Sequence, residues 1–127
     1  MAVTQVTLAS PSGLIQFTDT VMGNTVDAVK ASSAKVYSVF VDNSGNGGAA
    51  AYVKLWNTAS GSVTVGTTAP DEIIFIPAGA IVQRNFFTSA APGVTFGTAL
   101  TAACVTTAGT AGVTAPTNPV TCTINYT

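Results

Sequence analysis

Apolar and polar residues alternate at a period of two along most of this chain, and this pattern constrains the fold more than any other feature. Successive side chains of a β-strand point to opposite faces, so the alternation predicts strands. No segment repeats apolar residues at the i, i+3, i+4 and i+7 spacing of a helix, and strong helix formers are sparse. We predict an all-β fold, an antiparallel β-sandwich or jelly-roll-like domain with negligible helix.

Residues 35–56, KVYSVFVDNSGNGGAAAYVKLW, form the predicted centre of the sheet. Strict alternation divides the first strand into two faces, one with Tyr37, Val39 and Val41 and the other with Val36, Ser38 and Phe40. The polar, glycine-rich run 43–48 predicts a mobile loop. Residues 52–56 then predict a second strand.

Two later segments give further predictions. The run of four apolar residues within 72–76 predicts a strand covered on both faces, and residues 80–87 predict its hairpin partner across the Pro77–Gly79 turn. The clearest amphipathic strand is the last one, 120–126. Its predicted inward residues are Val120, Cys122, Ile124 and Tyr126.

The length of 127 residues predicts a single domain over 1–127, able to bury roughly two-thirds of the unfolded surface. Residues 1–34 are predicted as N-terminal strands or an arm. The start, MAVTQVTLAS, has no basic segment followed by a continuous apolar run, so we expect no secretory signal. No apolar run approaches the roughly 20 residues that span a bilayer. We therefore expect a soluble protein made in a cytoplasm.

Charge is scarce. Charged residues make up 7 % of the chain, against roughly 25 % in typical soluble domains. The four cations are scattered, whereas nucleic-acid binding needs a clustered basic patch, so neither nucleic acid nor membrane is an expected partner. A neutral surface resists association poorly. We therefore predict a symmetric homo-oligomer.

No catalytic or metal-binding pattern in the sequence has all the residues that it requires. The chain has no histidine, which removes the usual general base near neutral pH. Asp71 and Glu72 are adjacent, and adjacent strand residues point to opposite faces. Residues 42–47 resemble the start of a calcium loop, but the twelfth position is Val53 and not glutamate. We predict no enzyme activity, no catalytic residue, no cofactor and no metal.

The cysteines and the aromatic residues leave alternatives open. Cys104 and Cys122 are predicted to be reduced, buried thiols, with a cross-strand disulfide as the alternative. Core packing explains most of the aromatic side chains. Because Phe86 and Phe87 must point to opposite faces, one of them should lie on a less buried side. Trp56, Phe86 and Phe87 are therefore candidate interface residues.

A resemblance adds a functional expectation. Its motifs are the Val41-Asp42-Asn43 strand end, Tyr52 to Leu55, Val65 to Asp71 (VGTTAPD) and Ala103 to Gly112 (ACVTTAGTAG), in that order. In these motifs the chain resembles a group of small structural proteins of tailed bacteriophages, notably cyanobacterial and marine phages. The likeness covers roughly residues 35–120, and the first thirty residues carry little of it.

The resemblance implies a virion protein, a capsid cement or decoration protein that binds and stabilises the phage head shell. It implies assembly in the host cytoplasm, with the major capsid protein or another virion protein as partner, beside self-association as a dimer or trimer. A tail or head-fibre component is the alternative within this class. A small carbohydrate-binding β-sandwich module is the alternative from another class, and it would need exposed aromatic residues along a groove.

Overall fold

The computed structural model describes residues 2–7, 13–86 and 92–127. Within these ranges it holds ten β-strands and one short 3₁₀ helix, Ser60–Ser62. The strands are β1 (Val3–Thr7), β2 (Ile15–Met22), β3 (Asp27–Lys30), β4 (Ala34–Asp42), β5 (Ala51–Trp56), β6 (Glu72–Ile76), β7 (Ile81–Asn85), β8 (Val94–Phe96), β9 (Leu100–Val105) and β10 (Val120–Tyr126). The all-β prediction is confirmed. The described residues contain no helix long and apolar enough to cross a membrane.

The strands form two antiparallel sheets. Sheet A has the order β1-β2-β10-β4-β7, with β8 paired to the start of β4, and sheet B has the order β3-β9-β5-β6. One core cluster contains residues from both sheets, as expected for a β-sandwich in which the inner faces pack on each other. The first and last parts of the chain are joined in sheet A, because β10 lies between β2 and β4.

The amphipathic prediction for β10 is confirmed. Its four predicted inward residues are at most 2 % exposed, and the residues between them are half-buried on the outer face. Alternation identified this strand because only one of its faces is buried.

The strict alternation predicted for β4 is wrong because a β-bulge interrupts it. Tyr126 of β10 pairs with Val36, whereas the preceding Asn125 pairs with Ser38, so Tyr37 is the extra residue. A bulge of one residue switches the faces of every residue on one side of it. As a result Val36 and Val39 both face the core, and Ser38 and Phe40 share the outer face.

The predictions for β6 and its partner are also wrong. β6 is an edge strand of sheet B, and Phe75 on its outer face is 53 % exposed. It forms no hairpin with β7, which pairs with β4 in sheet A. The apolar run is continuous because Ile74 and Ile76 enter the core, while the Phe75 ring packs on Tyr52 with their centroids 5.3 Å apart.

The predicted mobile loop after β4 is instead held by buried asparagines. Asn43 is fully buried and its amide group donates hydrogen bonds to the carbonyl oxygens of Ala49 and Pro77. Asn46 donates to the side-chain oxygen of Asn43 at 2.9 Å and accepts from the backbone N–H of Asn118 at 2.9 Å. The polar residues that suggested flexibility therefore satisfy the backbone of a closed turn.

Candidate functional site: the outer face of sheet A

Two loops, residues 57–71 and 106–119, which we call the cover loops, close the outer face of sheet B over β9 and the end of β5. Phe75 of the β6 edge is 53 % exposed and lies outside this cover. Trp56 lies beneath the cover loops, with its indole N–H donating to the carbonyl oxygen of Thr68 at 2.9 Å. Its ring belongs to a small second core with Val63 and Ala103. Trp56 is 0 % exposed, so this predicted interface residue offers no surface to a partner and instead anchors the cover.

Lys54 of β5 holds the second cover loop, 106–119, against sheet B. Its ammonium group is buried and donates to the carbonyl oxygens of Gly109 and Gly112, the latter at 3.2 Å. Desolvation lowers the pKa of Lys54 from its ordinary value. Gly66, whose φ of +93° suits glycine, brings the first loop against Val113 of the second, where an added Cβ would lie 2.3 Å from a Val113 methyl group. Together the two loops make one layer.

The outer face of sheet A is open to solvent. It is formed by alternate residues of five strands that lie side by side in register. They are Thr4 and Val6 of β1, Gln16 and Thr18 of β2, Thr121, Thr123 and Asn125 of β10, Ser38, Phe40 and Asp42 of β4, and Ile81, Gln83 and Asn85 of β7. Among these, Val6, Phe40 and Ile81 are exposed apolar side chains, at 46 %, 38 % and 56 %.

Neutral side chains on this face are hydrogen-bonded across the strands. The Gln16 amide group donates to the Asn125 side-chain oxygen at 3.2 Å, and the Asn125 amide group donates to the Ser38 hydroxyl at 2.8 Å. In the next row the hydroxyls of Thr18 and Thr123 are 3.1 Å apart. These bonds hold the donors and acceptors of the face in fixed positions.

The centre of this face carries no charge among the described residues. Lys35 and Asp42 lie at opposite ends of β4. Arg84 of β7 is directed to the sheet edge, where it forms an ion pair with Glu72 at 3.3 Å. The central rows of the face are therefore uncharged and carry a few apolar side chains, and Asp42 lies at the end of the face.

The other two predicted interface residues have different outcomes. Phe86 is half-buried against the core cluster, and the Arg84 guanidinium lies 5.3 Å from its ring centroid. Phe87 lies outside the described residues. Sequence reasoning missed Phe40, because strict alternation grouped it with Val36, which is buried; the bulge at Tyr37 is what separates them.

A pair of buried carboxyl groups lies within the sandwich. Asp19 of sheet A is 0 % exposed and Asp27 of sheet B is 4 % exposed. The N–H of Val21 donates to Asp19 Oδ1 at 2.9 Å, and the three remaining carboxyl oxygens have no protein donor. Burial, followed by a hydrogen bond with Asp19 and its negative charge, raises the pKa of Asp27 to about 7. A proton held on Asp27 and donated to Asp19 pairs two of these three oxygens.

The two cysteine thiols are buried from solvent, as the carboxyl pair is. Cys104 and Cys122 are both free and buried. Burial raises the pKa of Cys104 to about 12 and that of Cys122 well above its ordinary value. Both therefore stay protonated at neutral pH and are poor nucleophiles. In the described part of the chain, no three histidine, cysteine or carboxylate residues are grouped so that they could hold a metal ion.

Comparison with known proteins places the chain in no family. No protein-family model, no curated protein and no solved structure matches it.

Proposed function

We propose that this chain is a structural virion protein, a capsid cement or decoration protein that docks on a phage head shell through the outer face of sheet A. The observation that carries the proposal is that the central rows of this face are open, uncharged and internally hydrogen-bonded, whereas most of the outer face of sheet B is closed. The phage resemblance of residues 35–120 supplies the class of partner.

The physics of desolvation favours such a face for docking. Removing a charged group from water is costly unless it is paired, and the central rows of this face contain none. The ordered amide and hydroxyl groups of Gln16, Asn125 and Ser38 are already held in place, so little side-chain entropy is lost when a partner covers them. Exposed Phe40, within the row that contains Thr123, and exposed Ile81, on the β7 edge strand, add apolar area.

Charge scarcity also supports an assembled state. A well-behaved soluble surface carries roughly 25–35 % charged residues, and this chain has 7 %. In the proposal the major capsid protein, or another virion protein, covers part of the neutral surface, and further copies of the chain cover another part. Binding of this kind should change little with ionic strength, because exposed charge pairs are what salt screens.

A charge placed in the centre of the face tests the proposal. Thr123→Lys puts an ammonium group into the contact, and Thr67→Lys makes the same substitution on the exposed cover side as a matched control. Retention on purified phage heads is measured by co-sedimentation. We expect Thr123→Lys to weaken attachment at least about tenfold and Thr67→Lys to bind as the unsubstituted chain does. Equal attachment of all three chains would overturn the choice of face.

Electron microscopy of virions labelled with antibody to this chain distinguishes the head shell from a tail or head fibre. Label along the tail would replace the cement role with the fibre role and would leave the virion class intact. Absence of label from every particle would remove the virion class.

One observation favours the carbohydrate-binding alternative. Tyr52 and Phe75 form an aromatic pair on the outer face of sheet B, and Phe75 is half exposed. Aromatic faces of this kind can stack on sugar rings. Glycan-array binding that is lost in Phe75→Ala and kept in Phe40→Ala would support this alternative over the virion role.

A further inference from the structure

Three of the four sheet edges are blocked: β3, β6 and β7 by side chains or charges, and β8, which continues the β7 edge, by its length of only three residues. β6 and β7, at one end of the sandwich, carry Glu72 and Arg84, whose ion pair joins the two edges. At the other end β3 contains a bulge, and the carbonyl oxygen of Val29 accepts hydrogen bonds from Gln5 at 2.9 Å and from Tyr126 at 3.2 Å. Charges, bulges and covering groups are the usual means of preventing strand addition.

β1, the fourth edge, has none of these devices among the residues that the structure describes. Its sequence, VTQVT, contains no charge, proline or glycine, and it pairs with β2 in unbroken register over five residues. Val3 and Val6 are 42 % and 46 % exposed. An exposed, regular, uncharged edge is a template for another strand.

The backbone groups that face outward can be assigned by parity. The carbonyl oxygen of Ala2 accepts from the N–H of Thr20 at 3.0 Å, so Ala2 belongs to the set that bonds to β2. In an antiparallel pair alternate residues bond to the neighbouring strand. The N–H and C=O groups of Val3, Gln5 and Thr7 therefore point to the free edge.

We propose that β1 pairs with β1 of a second copy of this chain, antiparallel, about a two-fold axis at Gln5. The three outward residues are symmetric about Gln5, so Gln5 pairs with the partner's Gln5 and Val3 pairs with the partner's Thr7. Every outward N–H and C=O then has a partner, in about six hydrogen bonds. An isologous interface must complement itself, and this register does, so a second copy of the chain is the occupant proposed.

The pairing keeps the contacts that each copy already makes. The Gln5 side chain, which reaches Val29 and Tyr126, does not take part in the edge bonds. Sheet A of one copy and sheet A of the other become one continuous sheet, so the outer face has twice as many strands side by side. The inference rests on the self-association within the proposed function and names its interface, but it does not depend on attachment to a shell.

Two charge designs test the register. Thr4 and Val6 are exposed, lie on the outer face, and would stand opposite each other across the two-fold axis. Thr4→Glu/Val6→Glu places like charges opposite each other in the pair, and Thr4→Lys/Val6→Glu places opposite charges there. Sedimentation equilibrium gives the dimer dissociation constant of each, and circular dichroism confirms that each is folded.

We expect the unsubstituted chain to dimerise, the Glu/Glu variant to dissociate at least about tenfold more readily, and the Lys/Glu variant to dimerise with an affinity that salt weakens. A monomeric unsubstituted chain, or a Glu/Glu variant that dimerises as well as the Lys/Glu variant, would overturn the pairing. A monomer that still binds phage heads would overturn this inference alone. A dimer that binds no particle would overturn only the shell-docking proposal.

Discussion

The outer faces of the two sheets differ in residue type and in exposure: sheet B turns Lys54 and Trp56 outward beneath the cover loops, whereas sheet A turns threonine and amide side chains toward solvent. All six residues of β9 are buried, because the core covers one of its faces and the cover loops cover the other. β10 alternates between buried and half-buried residues, because its outer face is open. The difference comes from the loops, since loops 57–71 and 106–119 both fold back over sheet B.

Two of the motifs on which the phage resemblance rests lie in or next to the cover loops. VGTTAPD, residues 65–71, lies in the first cover loop, and ACVTTAGTAG, residues 103–112, contains the end of β9 and the start of the second. These motifs therefore build the closed side of the molecule. The proposed docking face is formed by strand residues outside them, mainly in β2, β10 and β7.

The largest expected effect is on the closed face. Trp56→Ala removes the side chain on which the first cover loop packs, and we expect the free energy of unfolding to fall by about 3–5 kcal/mol. Urea denaturation followed by circular dichroism measures the loss. A loss below about 1 kcal/mol would mean that the cover loops contribute little to stability.

The buried carboxyl pair, which joins the inner faces of both sheets, gives a pH prediction. The pKa of Asp27 is raised from 3.8 to about 7 in the folded chain. The folded state therefore keeps a proton that the unfolded state has lost between these pH values, so the contribution of Asp27 to stability is largest below about pH 4 and is lost as pH rises to about 7. The full change is about 4 kcal/mol.

Asp27→Asn is the matched control for this pH effect. Its amide group can donate to Asp19 at every pH, so the decline between pH 4 and 7 should be absent. Urea midpoints for both chains across this range measure the effect. A decline of equal size in Asp27→Asn would show that other groups cause it.

A smaller effect is expected for Lys54→Met. The methionine keeps most of the side-chain volume and loses the two hydrogen bonds to the second cover loop, which should cost about 1–2 kcal/mol. Hydrogen exchange should rise within residues 106–119 and stay unchanged in β10. Unchanged exchange in the loop would contradict the role of Lys54 as its anchor.

The smallest stability effect is expected on the open face. Phe40→Ala removes an exposed ring and should change the free energy of unfolding by less than about 1 kcal/mol. The same substitution should weaken binding to phage heads. A large loss of stability with unchanged binding would reverse the roles assigned to the two faces.

The sequence predicted the parts of the fold in which local pattern and burial agree. β10 was predicted because its inward residues alternate without interruption. The faces of β4 were not, since both faces are largely apolar and the bulge at Tyr37 is set by pairing with β10. The burial of Trp56 was also beyond local pattern, because it depends on how loop 57–71 folds back over sheet B.

The buried carboxyl pair and the candidate docking face both had weaker signals in the sequence. Asp19 shares the inward phase of β2 with Phe17, so an acid in that phase was a recognisable anomaly. Its partner Asp27 lies in the other sheet, and no sequence spacing reveals their contact. The open face is visible only once the cover loops are placed.

A cryo-electron microscopy reconstruction of decorated phage heads tests the central claim most directly. The account predicts density for this chain on the shell, with Gln16, Phe40 and Thr123 of sheet A toward the capsid surface and the cover loops directed away from it. Contact through residues 57–71 or 106–119, with sheet A facing solvent, would contradict the account.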